Sequence, residues 1–116
     1  MLNQQPDLDR LFQALADPAR RTMVERLVRG PASVSELAQP LPISMPAVLQ
    51  HLGQLESSGL VRSVKRGRVR ICHINPELLG TAEQWLSARR AEWERRLGWL
   101  GEYLTKINQE QNDGSK

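Results

Sequence analysis

Apolar positions along the first half of the chain recur at helical spacing and are broken by prolines and glycines. LDRLFQALA (8–16) sets Leu8, Leu11, Phe12 and Leu15 three or four residues apart, which lines one face of a helix. Asp17-Pro18 then stops that helix and starts another. Aspartate accepts from the free amides of a helix N-terminus, and proline, having no N–H, fits the first turn. ARRTMVERLVRG puts Met23, Val24, Leu27 and Val28 on one face, and Gly30-Pro31 ends it. In SVSELAQPL (33–41) Ser33 precedes Glu36 by three residues, the spacing of a capping box. Leu37 points inward there, and Pro40 and Pro42 keep the helix short. ISMPAVLQHLGQLESSGL follows, with Ser44 as N-cap, Pro46 in the first turn, and Val48, Leu52 and Leu55 as the buried stripe. Ser57-Ser58-Gly59 stops it.

The period then changes from helical to alternating. LVRSVK and RVRICHI, joined at Arg66-Gly67, read as the two strands of a hairpin. Asn75-Pro76 caps a last helix over 76–107, about 48 Å long. Leu79, Leu86, Trp93, Leu100 and Ile107 recur along it every seven residues, and Leu97 and Leu104 broaden the seam. Such a seam is too long for a small monomer to cover, so it predicts a homodimer. Gly98 and Gly101 lower its intrinsic helicity, or permit a close helix approach.

These elements predict a mainly α (α+β) fold. It is a winged helix-turn-helix with a two-stranded β-hairpin wing and a long C-terminal dimerisation helix. One domain spans 7–107, between flexible ends at 1–6 and 108–116. The lone Cys72 excludes an intrachain disulfide and fits a reducing, cytoplasmic setting. MLNQQPDLDR lacks the basic and apolar regions of a secretory signal, and no apolar run approaches the length of a membrane span.

Charge placement gives the first functional signal. The formal net charge is +3, yet residues 61–75 hold four arginines, one lysine and no acid, while each flanking segment is at −1. The excess is densest in VKRGRVR (64–70), where Lys65, Arg66, Arg68 and Arg70 surround the turn. A focused basic site points to a polyanion; an edge-protecting charged hairpin is the alternative.

A short helix, a turn, a second helix and a basic hairpin together suit duplex DNA. The second helix must expose side chains near its N-terminus to base edges while its other face packs rigidly. With Val48, Leu52 and Leu55 inward, Met45, Pro46, Leu49, Gln50 and Gly53 face outward. The candidate groove contacts are therefore Ser44, Met45, Pro46, Ala47, Leu49 and Gln50. The Ser44 hydroxyl suits a phosphate, Gln50 an adenine edge, and the apolar atoms thymine methyls. Lys65, Arg66, Arg68 and Arg70 would bind phosphate or the minor groove, positioning more than specifying. No Ser-His-Asp, paired-carboxylate, phosphate-loop or metal constellation is apparent, so the sequence does not read as an enzyme and implies no cofactor. The exposed Met45/Pro46/Leu49 surface keeps a second reading open, a winged-helix module binding a protein or RNA.

In this order and spacing, ALADPARRTMVERL, SVSELAQPL, SMPAVLQHLGQLESSGLV and the basic hairpin ending HINP resemble the ArsR/SmtB-type bacterial repressors, from about Leu8 to Leu104. The resemblance implies a cytoplasmic, homodimeric, usually effector-released repressor on a pseudo-palindromic operator. It also implies pairing through the first and last helices, by Leu8, Leu11, Phe12, Leu86, Trp93, Leu97, Leu100 and Leu104. The chain departs from the family's sensor classes. Ala38 and Pro40 stand where arsenic- and cadmium-type members carry cysteines, and the last helix lacks the histidines of zinc-type members. Neither thiolate nor zinc sensing is expected, which leaves an unknown small-molecule effector, a partner protein or no signal at all. Leu49 stands where many members carry serine, which reduces hydrogen-bonding readout.

Three further residue groups have structural readings. Cys72 and His73 alternate to opposite faces of a strand and close no metal site. His51, beside the buried stripe, is expected to be packed or hydrogen-bonded, with a phosphate or base contact as the alternative. Trp85 and Trp99 lie off the main seam and suit packing on the winged domain or an effector pocket.

Overall fold

The structure is a computed structural model that describes residues 6–114, and the side chains of 7–111. Helix α1 (Pro6–Ala14) is followed by α2 (Pro18–Val28), a two-residue strand β1 (Ala32–Ser33) and the short α3 (Val34–Ala38). Then come α4 (Met45–Ser57), the hairpin strands β2 (Val61–Arg66) and β3 (Val69–Ile74), and α5 (Pro76–Gly114). The chain divides into two compact units, residues 1–82 and 83–116.

The helix boundaries follow the capping chemistry. Asp17 accepts from the Arg20 amide at 3.1 Å and Pro18 opens α2. That bond holds the Asp17 carboxyl below its ordinary 3.8, with Coulombic help from His51 and Arg20 and opposition from partial burial. Ser33 and Glu36 form a reciprocal capping box, each accepting at 3.1 Å from the other's backbone amide. Ser44 caps α4, accepting from the Ala47 amide at 3.3 Å. Gly59 ends the following turn with φ +84°, a conformation that disfavours a side chain.

Three sequence expectations are corrected and one is extended. The two-stranded hairpin is present, and β1 joins it as a third strand in the order β1-β3-β2, because Ala32 and Ser33 pair with Cys72 and Ile71. Residues 108–114 continue α5 rather than forming a loose tail. No proline follows Pro76, and Gln and Glu are good helix formers. Pro6 already belongs to α1, while residues 1–5 and 115–116 lie outside the described residues. Leu8 and Leu11 turn into the chain's own core, Leu11 with no exposed surface, so neither offers area to a second copy. Phe12 is partly buried against the same core.

That core lies within the first unit. Leu11, Met23, Leu27, Leu37, Val48, Leu52, Leu55, Leu60, Val61 and Cys72 are each at most 2% exposed. All are apolar or, in Cys72, a small weakly polar group, so their burial removes hydrocarbon from water and leaves few polar groups needing partners. Cys72 fills space opposite Ala32 and Ser63, and burial pushes its thiol pKa up.

The second unit is helical. Arg89–Glu92, Arg90–Glu94 and Arg96–Glu92 pair along its surface at helical spacing. Leu86, Trp93, Leu97, Leu100 and Leu104 are all between 42% and 62% exposed. Trp85 takes Arg89 over its ring, and Trp99 stacks on Tyr103 with centroids 5.5 Å apart.

Candidate nucleic-acid interface

Helix α4 packs against α1, α2 and α3. Val48, Leu52 and Leu55, three or four residues apart, hold its inner face in the core with no exposed surface. The helix therefore cannot rotate without opening a cavity. Its opposite face is set by the same periodicity. Met45 and Leu49 are each 44% exposed, and Pro46 and Gln50 lie beside them in solvent. Ala47 is half-buried and offers less to a ligand than the sequence suggested. Ile43, just before the helix, is also exposed and adds to this apolar N-terminal face. The Ser44 oxygen accepts from the helix's own amide, and its hydroxyl proton remains able to donate to an acceptor such as a phosphate oxygen.

His51 is tied to the turn before α2. Its Nδ1 lies 3.2 Å from Arg20 Nη1 and 3.8 Å from Asp17 Oδ2. Arg20 also donates through Nε to the Ala14 carbonyl at 2.7 Å and through Nη2 to the Gln13 carbonyl at 3.2 Å. One guanidinium, carried on the first turn of α2, thus joins the end of α1 to the middle of α4. His51 has the hydrogen-bonded structural role expected of it. Arg20 was not singled out by sequence pattern, because nothing local marks the carbonyls it reaches.

The hairpin positions the basic residues. Val61 to Arg66 pair residue by residue with Ile74 to Val69, leaving Gly67 and Arg68 as a two-residue turn. Gly67 has φ +63°, and no residue other than glycine has positive φ among the described residues, which is the pattern of a type II′ turn. This turn places Arg68 at the tip, with Arg66 on the adjoining strand end. Lys65, Arg66 and Arg68 are exposed and enter no ion pair among the described residues. Lys65, Arg68, Arg70 and Ser63 line a depression of about 300 Å³.

Arg70 differs from its neighbours. Its Nη2 meets Glu56 Oε1 in a close ion pair, and its Nε donates to Ser63 Oγ at 2.9 Å. Ser63 Oγ in turn donates to Glu56 Oε1 at 3.3 Å. Lys65 lies directly across from Arg70, and like charges at such a pair repel. Glu56 relieves that repulsion and turns Arg70 back toward α4. The structure therefore places Arg70 in a brace between α4 and the wing, rather than among the outward cations. Glu56 was also missed. Its signal was an acid near a helix C-terminus, where the helix dipole disfavours negative charge unless a cation is close.

Among the described residues, no group of three or more His, Cys, Asp or Glu side chains could hold a metal ion. Nor, among the described residues, is any helix long and apolar enough to cross a membrane. Cys72 lies in the core while His73 is half-buried, on the opposite face of β3.

A helix packed rigidly behind an exposed N-terminal face, followed by a hairpin whose tip cations enter no ion pair among the described residues, defines a winged helix-turn-helix nucleic-acid-binding protein. Residues 15–64 match the model of a family described as "Helix-turn-helix domain". The chain is 48% identical to a solved ArsR family transcriptional regulator, covering 76% of this chain and 97% of that one with a TM-score of 0.72. An HTH-type transcriptional regulator of Mycobacterium tuberculosis is 50% identical over 68 residues, 59% of this chain and 64% of that protein. The transcriptional repressor SdpR of Bacillus subtilis is 24% identical over 79 residues, 68% of this chain and 88% of that protein. The chain belongs to the ArsR family of transcriptional regulators and is a DNA-binding regulator.

Proposed function

We propose that two copies of the chain pair and bind a pseudo-palindromic operator as a repressor. The observation that carries this reading is the exposed N-terminal face of α4 together with three exposed hairpin cations, Lys65, Arg66 and Arg68, that enter no ion pair among the described residues. A duplex supplies both missing partners, base edges for the helix and phosphates for the wing. Two recognition helices related by a two-fold axis would meet half-sites about one helical turn apart. The pairing surface is the α5 seam of Leu86, Trp93, Leu97, Leu100 and Leu104. Five large apolar side chains left at 42% or more exposure are costly in water, and a second copy of the same seam would cover them.

Readout rests on apolar contacts and one amide. Met45, Pro46 and Leu49 suit thymine methyls, and Gln50 suits an adenine edge. The side chains of Ala38 and Pro40 carry no metal-binding atom, and residues 76–116 hold no histidine, so any effector of the repressor, in the cytoplasm, is other than a thiolate-bound or zinc-type metal. The test is selection of genomic fragments by the purified protein, followed by footprinting and sedimentation of the complex. A protected site of two half-sites bound by two chains is expected. Equal affinity for all duplexes, or a bound monomer, would overturn the reading. Greater affinity for single-stranded RNA than for any duplex would do so as well.

A further inference from the structure

The outer face of the wing has a composition that operator binding does not explain. Alternation along the strands puts Arg62, Val64 and Arg66 of β2 on one face with Val69, Ile71 and His73 of β3. Cross-strand pairs build the face in three rungs, Arg62 with His73, Val64 with Ile71, and Arg66 with Val69. The central rung is wholly apolar, and a cationic or imidazole side chain stands on the rung at either end. Pro31, leading into β1, closes one side. Pro31, Val64, Arg66, Ile71 and His73 line a groove of about 500 Å³, within the size range of small-molecule sites.

The groove's charge is unbalanced. None of its lining residues is acidic, and neither Arg62 nor Arg66 enters an ion pair or side-chain hydrogen bond among the described residues. The opposite face of the same hairpin is treated differently, since Arg70 there is neutralised by Glu56. Val64, on the central rung with Ile71, is 50% exposed, a wet apolar floor between the rungs that carry Arg62 and Arg66.

We propose that this groove binds a small organic anion with an apolar body, an aryl- or alkyl-carboxylate. The body would lie on Val64, Ile71 and Pro31. The carboxylate would accept from the Arg66 guanidinium, whose planar fork suits two parallel hydrogen bonds. Arg66 is also a wing cation, so an occupied groove withdraws one positive charge per wing from the DNA. That consequence rests on the proposed operator reading; the binding site itself does not.

The experiment titrates the full-length protein, free of DNA, with 3-phenylpropanoate and with its neutral amide, following backbone amide resonances. Saturable shifts centred on Val64, Ile71 and His73 are expected, with a dissociation constant on the order of 1 mM for so small a probe. The amide should bind about fivefold more weakly, having lost the charge-assisted contact. Val64→Thr and Arg66→Gln should each reduce binding, and the unchanged spectrum of the α1–α4 residues shows that both variants fold. Equal binding of acid and amide, shifts centred elsewhere, or no saturation would overturn the site. Val64→Thr weakening duplex binding as much as Arg66→Gln would overturn it too, by assigning the groove to DNA. Concentration-dependent broadening of these resonances without ligand would give the face to a second copy instead. A protein that binds the probe but shows no loss of duplex affinity at saturation would refute the release mechanism and leave the site standing.

Discussion

Replacing Arg66 and Arg68 together by glutamine tests how the wing holds DNA. Each neutralised phosphate contributes about 0.9 to the slope of log K against log salt on duplex DNA. Both guanidinium groups are exposed and enter no ion pair among the described residues, so each is free to neutralise one phosphate. Two protomers lose four contacts, and the slope should fall by about 3.6. At 0.1 M salt, one decade below the 1 M reference, this is a loss of roughly three to four decades in affinity. Extrapolated to 1 M the two proteins should bind alike, because no base contact has been touched. Fluorescence anisotropy of a labelled operator at five salt concentrations gives both numbers. Arg70→Gln is the internal comparison, with a slope within about 0.5 of wild type, because Glu56 already neutralises Arg70. A double variant with the wild-type slope would refute the wing assignment. A slope drop in Arg70→Gln equal to that of a single wing arginine would refute the brace.

Leu52→Ala should destabilise the fold by about 2–5 kcal/mol in urea titration, since the side chain is fully buried on the inner face of α4; a loss under about 1 kcal/mol would contradict that packing. The Asp17 carboxyl is held below its ordinary 3.8 in the folded chain, so its contribution is complete above that value and fades as pH falls through the lowered one. Asp17→Asn, still an N-cap, should melt near the wild-type temperature at pH 7 and lose less stability on acidification. A parallel acid response in both proteins would show that the cap is not what titrates. Cys72 is fully buried with a raised thiol pKa, so a thiol reagent should label it only as fast as the fold opens, and faster with added urea. Labelling of the native protein at the speed of a free thiol would place the sulfur at the surface.

Local chemistry made much of this protein legible in its sequence. Apolar spacing fixed the inner face of α4 at Val48, Leu52 and Leu55, and therefore its outer face at Met45, Pro46, Leu49 and Gln50. Capping signals at Asp17, Ser33 and Ser44 placed helix starts, because caps act within three residues. The acid-free run at 61–75 marked the wing. The tertiary structure decided what depends on distant partners. It gave Leu8 and Leu11 to the intrachain core, because an amphipathic helix shows which face is buried but not what buries it. It added β1 to the sheet, a strand of two residues being too short to leave a period. It joined Arg20 to His51 across 31 residues and Arg70 to Glu56 across 14. A side chain's charge is written in the sequence, but whether that charge faces a phosphate or a carboxylate is settled by where the fold brings the two ends together.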